Sequence, residues 1–106
     1  HRKELRKMVK LVALYKKPAD MAAFEKHYME IHTPLAKKMP GLRKMEVCRF
    51  TGSPGGEARF HLMAEMYFDD KGAMLAALGS PEGKAAGKDV MSFAGDLIHM
   101  MFAEVA

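Results

Sequence analysis

Four stretches of the chain carry the apolar rhythm of β-strands, and two carry that of helices. MVKLVALY, from Met8 to Tyr15, is rich in Val and Leu and stops at Lys16, Lys17 and Pro18, which is a strand followed by a breaker. Asp20 stands where a helix N-cap belongs. Behind it Met21, Phe24, Tyr28, Ile31, Leu35 and Met39 recur at steps of three and four as one apolar stripe, the signature of an amphipathic helix. Pro34 falls inside that stripe. Its missing N–H and its ring predict a kink or interruption near Glu30 and Ile31, and Pro40-Gly41 ends the helix.

Leu42 to Phe50 alternates as a second strand, and Gly52-Ser53-Pro54-Gly55-Gly56 is the densest turn signal of the chain, so a hairpin is expected. Phe60 to Phe68 alternates most cleanly, with Phe60, Leu62, Ala64, Met66 and Phe68 on one face and His61, Met63, Glu65 and Tyr67 on the other. Asp69 or Asp70 caps a helix through Met74, Leu75 and Leu78. Gly79-Ser80-Pro81 breaks it, a second helical piece covers Pro81 to Phe93, and Leu97 to Val105 closes the chain as a fourth strand. The order βαββαβ predicts an α+β, ferredoxin-like fold: a four-stranded antiparallel sheet with both helices on one face. Yet the strands carry apolar or mixed residues on both faces. That excess points to a second copy packed sheet to sheet, a homodimer enclosing a barrel-like interior.

Composition narrows the classes. A chain of 106 residues, 49% hydrophobic and 28% charged, is a single globular domain, expected over residues 8–106. No apolar run is long enough for a spanning helix and no stretch has the build of a signal peptide, so no membrane association and a cytoplasmic location are expected. Of the net charge of +4, Arg2, Lys3, Arg6 and Lys7 against Glu4 supply +3. His1 to Lys7 lacks apolar periodicity and reads as a tag remnant or flexible leader, which removes the case for a nucleic-acid partner. Cys48 is the single cysteine, so there is no internal disulfide and no Cys-based zinc site; it reads as a small buried apolar group. The Gly52 to Gly56 segment lacks a phosphate-binding pattern and opens no helix. Eleven Met and no Trp predict a core or pocket filled by flexible thioethers.

Three pieces, MVKLVALYKKP (Met8 to Pro18), FEKHYMEIHTPLAKKMPGL (Phe24 to Leu42) and FHLMAEMYFDD (Phe60 to Asp70), followed by GSPEG and KDVMSF, together resemble the EthD family, named for ethyl tert-butyl ether degradation, within the dimeric α+β barrels. Phe24, Tyr28, His32, Pro34 and Pro40-Gly41 carry the resemblance most specifically, while Met29 departs from the aromatic residue common after the Tyr. The resemblance implies the fold and dimerisation. It also implies chemistry without a cofactor: the barrel group includes cofactor-free monooxygenases, lactone isomerases, polyketide cyclases and decarboxylases, as well as members without assigned activity.

The candidate catalytic residues are His32, His61 and Glu65. On a regular helix of about 100° per residue His32 lies about 40° from Tyr28, at the border of the buried stripe and beside the backbone disturbed by Pro34. It is either a general acid or base or a structural imidazole bonding a carbonyl freed at the kink. The resemblance adds weight to the first, since a His precedes the Pro at this place in the family's helix. His27, about 140° from His32, reads as a solvated edge residue, and Lys26, Lys37 and Lys38 as a solvated face. His61, Glu65 and Tyr67 are assigned to the barrel interior, joined by His99 and Met101. Lys10 faces the same interior and can pair with Glu65. Two His and a carboxylate would satisfy a metal's ligand list, but the spacing matches no motif, and no metal is assigned. Met63, Tyr67, Tyr28, Met101 and Lys10 are the expected ligand contacts. The expected function is binding of a small apolar or aromatic compound in the barrel interior, with cofactor-independent oxidoreductase, monooxygenase or isomerase chemistry. The alternative is a non-catalytic binding or accessory protein that supports a partner oxidase.

Overall fold

Residues 8–106 are described by a computed structural model of the chain, and the expected leader, residues 1–7, lies outside them. Strand β1 (Val9–Tyr15) runs through the middle of the sheet and buries Val9, Leu11, Ala13 and Tyr15 on one side. It pairs antiparallel with β3 (Leu62–Phe68) and with β4 (Ile98–Glu104), and β2 (Lys44–Arg49) pairs antiparallel with β3. The order is β2-β3-β1-β4, the ferredoxin-like α+β arrangement that the element order predicts. The hairpin turn closes on a bridge between Ser53 and Gly56, where Gly56 has φ +132, a backbone conformation open to glycine.

Helix α1 (Met21–His27) starts at the expected cap, with Asp20 Oδ1 accepting the Ala23 N–H at 3.0 Å. The interruption foreseen at Pro34 takes a specific form. Tyr28–His32 is one turn of π-helix in which the Thr33 N–H donates to the Tyr28 carbonyl, five residues back, and α2 (Thr33–Ala36) follows with Pro34 in its first turn. In a regular α-helix the Pro34 ring would strike the Glu30 carbonyl, and widening the backbone ahead of it relieves that contact. The extra residue per turn re-aims the inner face. His32, Thr33, Ala36 and Met39 are buried after Phe24 and Tyr28, whereas Ile31 turns out to 48% exposure. The regular stripe therefore fails at Ile31 for this reason; Met21, in the first turn, is also exposed.

Asp70 caps α3 (Lys71–Gly79) and Ser80 caps α4 (Pro81–Ala94), whose Gly83 N–H donates to Ser80 Oγ at 3.0 Å. Tyr15, Phe24 and Tyr28 form the aromatic centre between sheet and helices, with ring centroids 5.4 to 5.8 Å apart in favourable edge and offset contacts. None of the helices among the described residues is long and apolar enough to cross a membrane.

Two expectations are corrected: Cys48, on the edge strand β2, is exposed and not buried, and one face assignment changes. Leu62, Ala64, Met66 and Phe68 do face the helices, but alternation breaks between His61 and Leu62. His61 reaches Glu25 on α1, and Phe60 packs edge-on against His99, whose register with Leu14 puts it on the open face. A slip of one residue reverses a side chain's face, and β3 proper begins only at Leu62.

Helix α4 approaches its neighbours differently at two glycines. A Cβ on Gly83 would lie 2.1 Å from the Ala77 carbonyl oxygen, whereas one on Gly87 would meet nothing within 4 Å. Gly83→Ala is expected to destabilise the protein by about 1 to 3 kcal/mol through overpacking. Gly87→Ala is expected to stabilise it by about 0.4 to 1 kcal/mol through lost unfolded-state entropy. Urea denaturation checks both, and equal effects would contradict this packing.

Candidate functional site

Between the sheet and the helices lies a cavity of about 90 Å³. Leu11, Ala13 and Tyr15 of β1 form its floor, Ala36 and Met39 one wall, and α4 the other. The α4 wall is built from Gly83, Ala86 and Gly87 with Val90, small residues at helical spacing that leave space where larger ones would fill it. The lining is otherwise apolar except for Tyr15 and His32.

His32 reaches the cavity because the π turn rotates it inward, and a carboxylate on α4 then holds it. Its Nδ1 is 3.1 Å from Asp89 Oδ2, while Asp89 Oδ1 is 2.8 Å from His27 Nε2. The expectation that His27 sits on a distant, solvated edge is overturned. A π turn brings residues five apart toward one face, so both imidazoles meet the same carboxylate, and Phe93 stacks on His27 at 4.1 Å between centroids. Burial pulls the His32 pKa below its ordinary value of 6.5 against the opposing pull of Asp89, and the nearby His27 acts in the same direction as burial. His32 is therefore neutral at pH 7. The carboxylate can only accept, which assigns the ring proton to Nδ1 and leaves Nε2 as a lone pair without a protein partner among the described residues. Burial pushes the Tyr15 hydroxyl far above its usual range, keeping it a neutral donor.

Of the other candidate residues, Tyr28 alone lies beside His32. Lys10 pairs with Glu65 as expected, and the Lys10 and Lys44 ammonium groups lie 5.3 and 4.9 Å from the centre of the Tyr67 ring. The Glu65 carboxylate raises the Lys10 pKa. Register places these residues and Met63 on the open face, across the sheet from His32. Met101 borders a shallow groove at β4 together with Met100 and Phe102. His61 bonds Glu25, whose carboxyl is held below the usual range first by Arg49 and then by His61. Tyr28 is fully buried beside His32, with ring centroids 5.5 Å apart, and its hydroxyl and that of Thr33 have no hydrogen-bond partner among the described residues. No group of three or more His, Cys, Asp or Glu among the described residues is arranged to hold a metal ion.

Sequence reasoning missed Asp89 and Tyr15. The signal for Asp89 was present: an acid standing three residues after Ala86 and four before Phe93, on the apolar stripe of its helix, needs a buried partner. Tyr15 shares the parity of Val9, Leu11 and Ala13 and so had to point at the helices.

The linkage sign for His32 follows from its lowered pKa. Its neutral form contributes stability above pH 6.5, and that contribution is lost as pH falls from 6.5 through the folded-state value, because the unfolded chain binds the proton first. Unfolding free energy is expected to fall across this window in the wild type and to fall less in His32→Gln. Identical pH slopes in urea titrations would contradict it.

The sequence matches the EthD domain over residues 16–96. An uncharacterised 11.0 kDa protein of Rhodococcus erythropolis, from the thcB-thcC intergenic region, is 32% identical over 97 residues, spanning 92% of this chain and 94% of its own. The crystal structure of an ethyl tert-butyl ether degradation (EthD) family protein from Bacillus halodurans C-125 superposes with a TM-score of 0.92 at 52% identity, over 93% of this chain and 99% of that one. SnoaB, a cofactor-independent oxygenase from Streptomyces nogalater, shares the fold at 15% identity, with a TM-score of 0.63 over 93% of this chain and 91% of its own.

Proposed function

The chain belongs to the EthD domain family, and from that premise we propose that it binds a small, mainly apolar compound between helices and sheet and deprotonates it with His32. One observation carries this reading: the His32 imidazole lines an apolar cavity while its Nδ1 is tied to a carboxylate. That is the arrangement of an oriented general base. Asp89 stabilises the imidazolium as it forms, and the neutral Tyr15 hydroxyl lines the same space as a donor for an oxyanion developing on the substrate. Removal of a proton beside a carbonyl or from a phenol is the first step common to cofactor-free oxygenation and to isomerisation. The oxygenase activity of a protein with this fold supports the same class of chemistry.

A second reading is non-catalytic binding. It is favoured by the size of the cavity, about 90 Å³, against the roughly 300 to 1,000 Å³ usual for ligand sites. Met39, Met66 and Met100 at the walls supply the adaptable volume that a larger guest needs. We also propose a homodimer, in which Val12, Leu14, Met63 and Met101 on the open face meet a second copy of the sheet.

Three measurements test the proposal. Xenon-pressurised crystals are expected to show the atom in the cavity of the wild type and none in Gly87→Leu, which fills the space; xenon elsewhere only would contradict the site. For a compound that the wild type converts, His32→Asn is expected to keep Kd within a few-fold while lowering kcat by about 10² to 10⁴, and unchanged kcat would exclude His32 as the base. Light scattering should give twice the 11.8 kDa protomer mass; a stable monomer at micromolar concentration would exclude the dimer.

A further inference from the structure

The cavity that His32 lines and a second groove that His27 lines are joined by a single carboxylate. His32 lines the cavity between sheet and helices, whereas His27 lines a groove of about 380 Å³ together with Phe24, Phe93, Asp20 and Asp96. Side-chain exposure follows the same gradient, 9% for His32, 13% for Asp89 and 29% for His27. A proton relay through the three is excluded by donor direction. Both imidazole nitrogens face carboxylate oxygens and both must donate, so Asp89 has no proton to pass on and neither ring can receive one from it. What the geometry does permit is electrostatic coupling. One negative charge holds two bases, and a positive charge arriving on either ring claims Asp89 and repels the other.

We propose that His27 is a positioning residue that sets the proton affinity of His32 through their shared bond to Asp89. With His27 neutral, Asp89 keeps its full charge for the imidazolium forming on His32. With His27 protonated from the groove, Asp89 is already neutralised by an ion pair, and His32 becomes a weaker base. The base is thereby strongest while His27 is neutral and weakens once that ring carries a charge. No other resident charge is placed to dominate this coupling. Tyr15 of β1 and Tyr28 of the π turn are held neutral by burial. Asp20 and Asp96 border His27 across its open groove, where solvent screens them. The charged groups that act on His32 itself are Asp89 and His27.

The assignment builds on the reading of His32 as a base, but its test needs no substrate. Imidazole ¹⁵N shifts of His27 and His32 are followed by NMR from pH 4 to 9 in the wild type, in His27→Gln, which keeps a neutral donor toward Asp89, and in His27→Asn. In the wild type the His32 signal is expected to respond in two steps, one of them coinciding with the His27 titration. In His27→Gln the response becomes a single step with its midpoint at least about 0.5 pH higher. A single-step response of His32 in the wild type, or a midpoint unmoved in whichever His27 variant folds, would overturn the proposal. Coupling observed in a protein whose cavity takes no xenon would leave this inference standing and defeat the function assigned above.

Discussion

Pro34 has no N–H to give and a ring that cannot sit on the carbonyl four residues back, and the arrangement of the site depends on how the helix absorbs that constraint. It does so with one π turn, Tyr28–His32. Without the extra residue in that turn, Ile31 would follow Tyr28 inward and His32 would lie at the rim. With it, His32 and Thr33 are buried and Ile31 is exposed. The same turn brings His27 and His32 onto one carboxylate. Placing Asp89 beneath two rings answers a cost that burial creates, since an unpartnered imidazole or carboxylate in that position would be strongly unfavourable.

Much of the fold was legible because it rests on local rules. The strands announced themselves by alternation, the helices by Asp20 and the Asp69-Asp70 pair at their starts, and the connections by Gly and Pro. Phe24, Tyr28, Leu62, Ala64, Met66 and Phe68 all face the core as their spacing implies. What could not be read was phase. Pro34 signalled a disturbance but not its form, and a uniform 100° per residue misplaced Ile31, His27 and His32 together. The break at His61 did the same to a strand, turning His61 toward Glu25 and Phe60 toward His99. Both errors are one-residue slips, which leave the elements intact and reassign their faces. The candidate site suffered accordingly. His32 was identified, but its partner Asp89 lies 57 positions away in sequence; of the residues grouped with it, Lys10, Met63, Glu65 and Tyr67 stand across the sheet, His61 bonds Glu25, and Tyr28 alone lies beside it.

The cavity and its base work together. Small residues on α4 leave space, the walls are mainly apolar, and burial lowers the His32 pKa, which leaves the ring able to accept a proton near pH 7. Asp89 works against burial just enough to orient the ring and to stabilise it once charged. A carboxylate reaching the cavity directly would have drawn in water. Held behind the imidazole, it acts only through Nδ1.

That arrangement fixes the tautomer of His32, and the tautomer is the most direct measure of it. Imidazole ¹⁵N shifts of His32 recorded at pH 8 should show Nδ1 protonated and Nε2 bare, as a ring donating to Asp89 and presenting its lone pair to the cavity requires. A proton on Nε2 instead would mean that Asp89 does not hold the ring and that His32 is no base toward the cavity, and the account would fail.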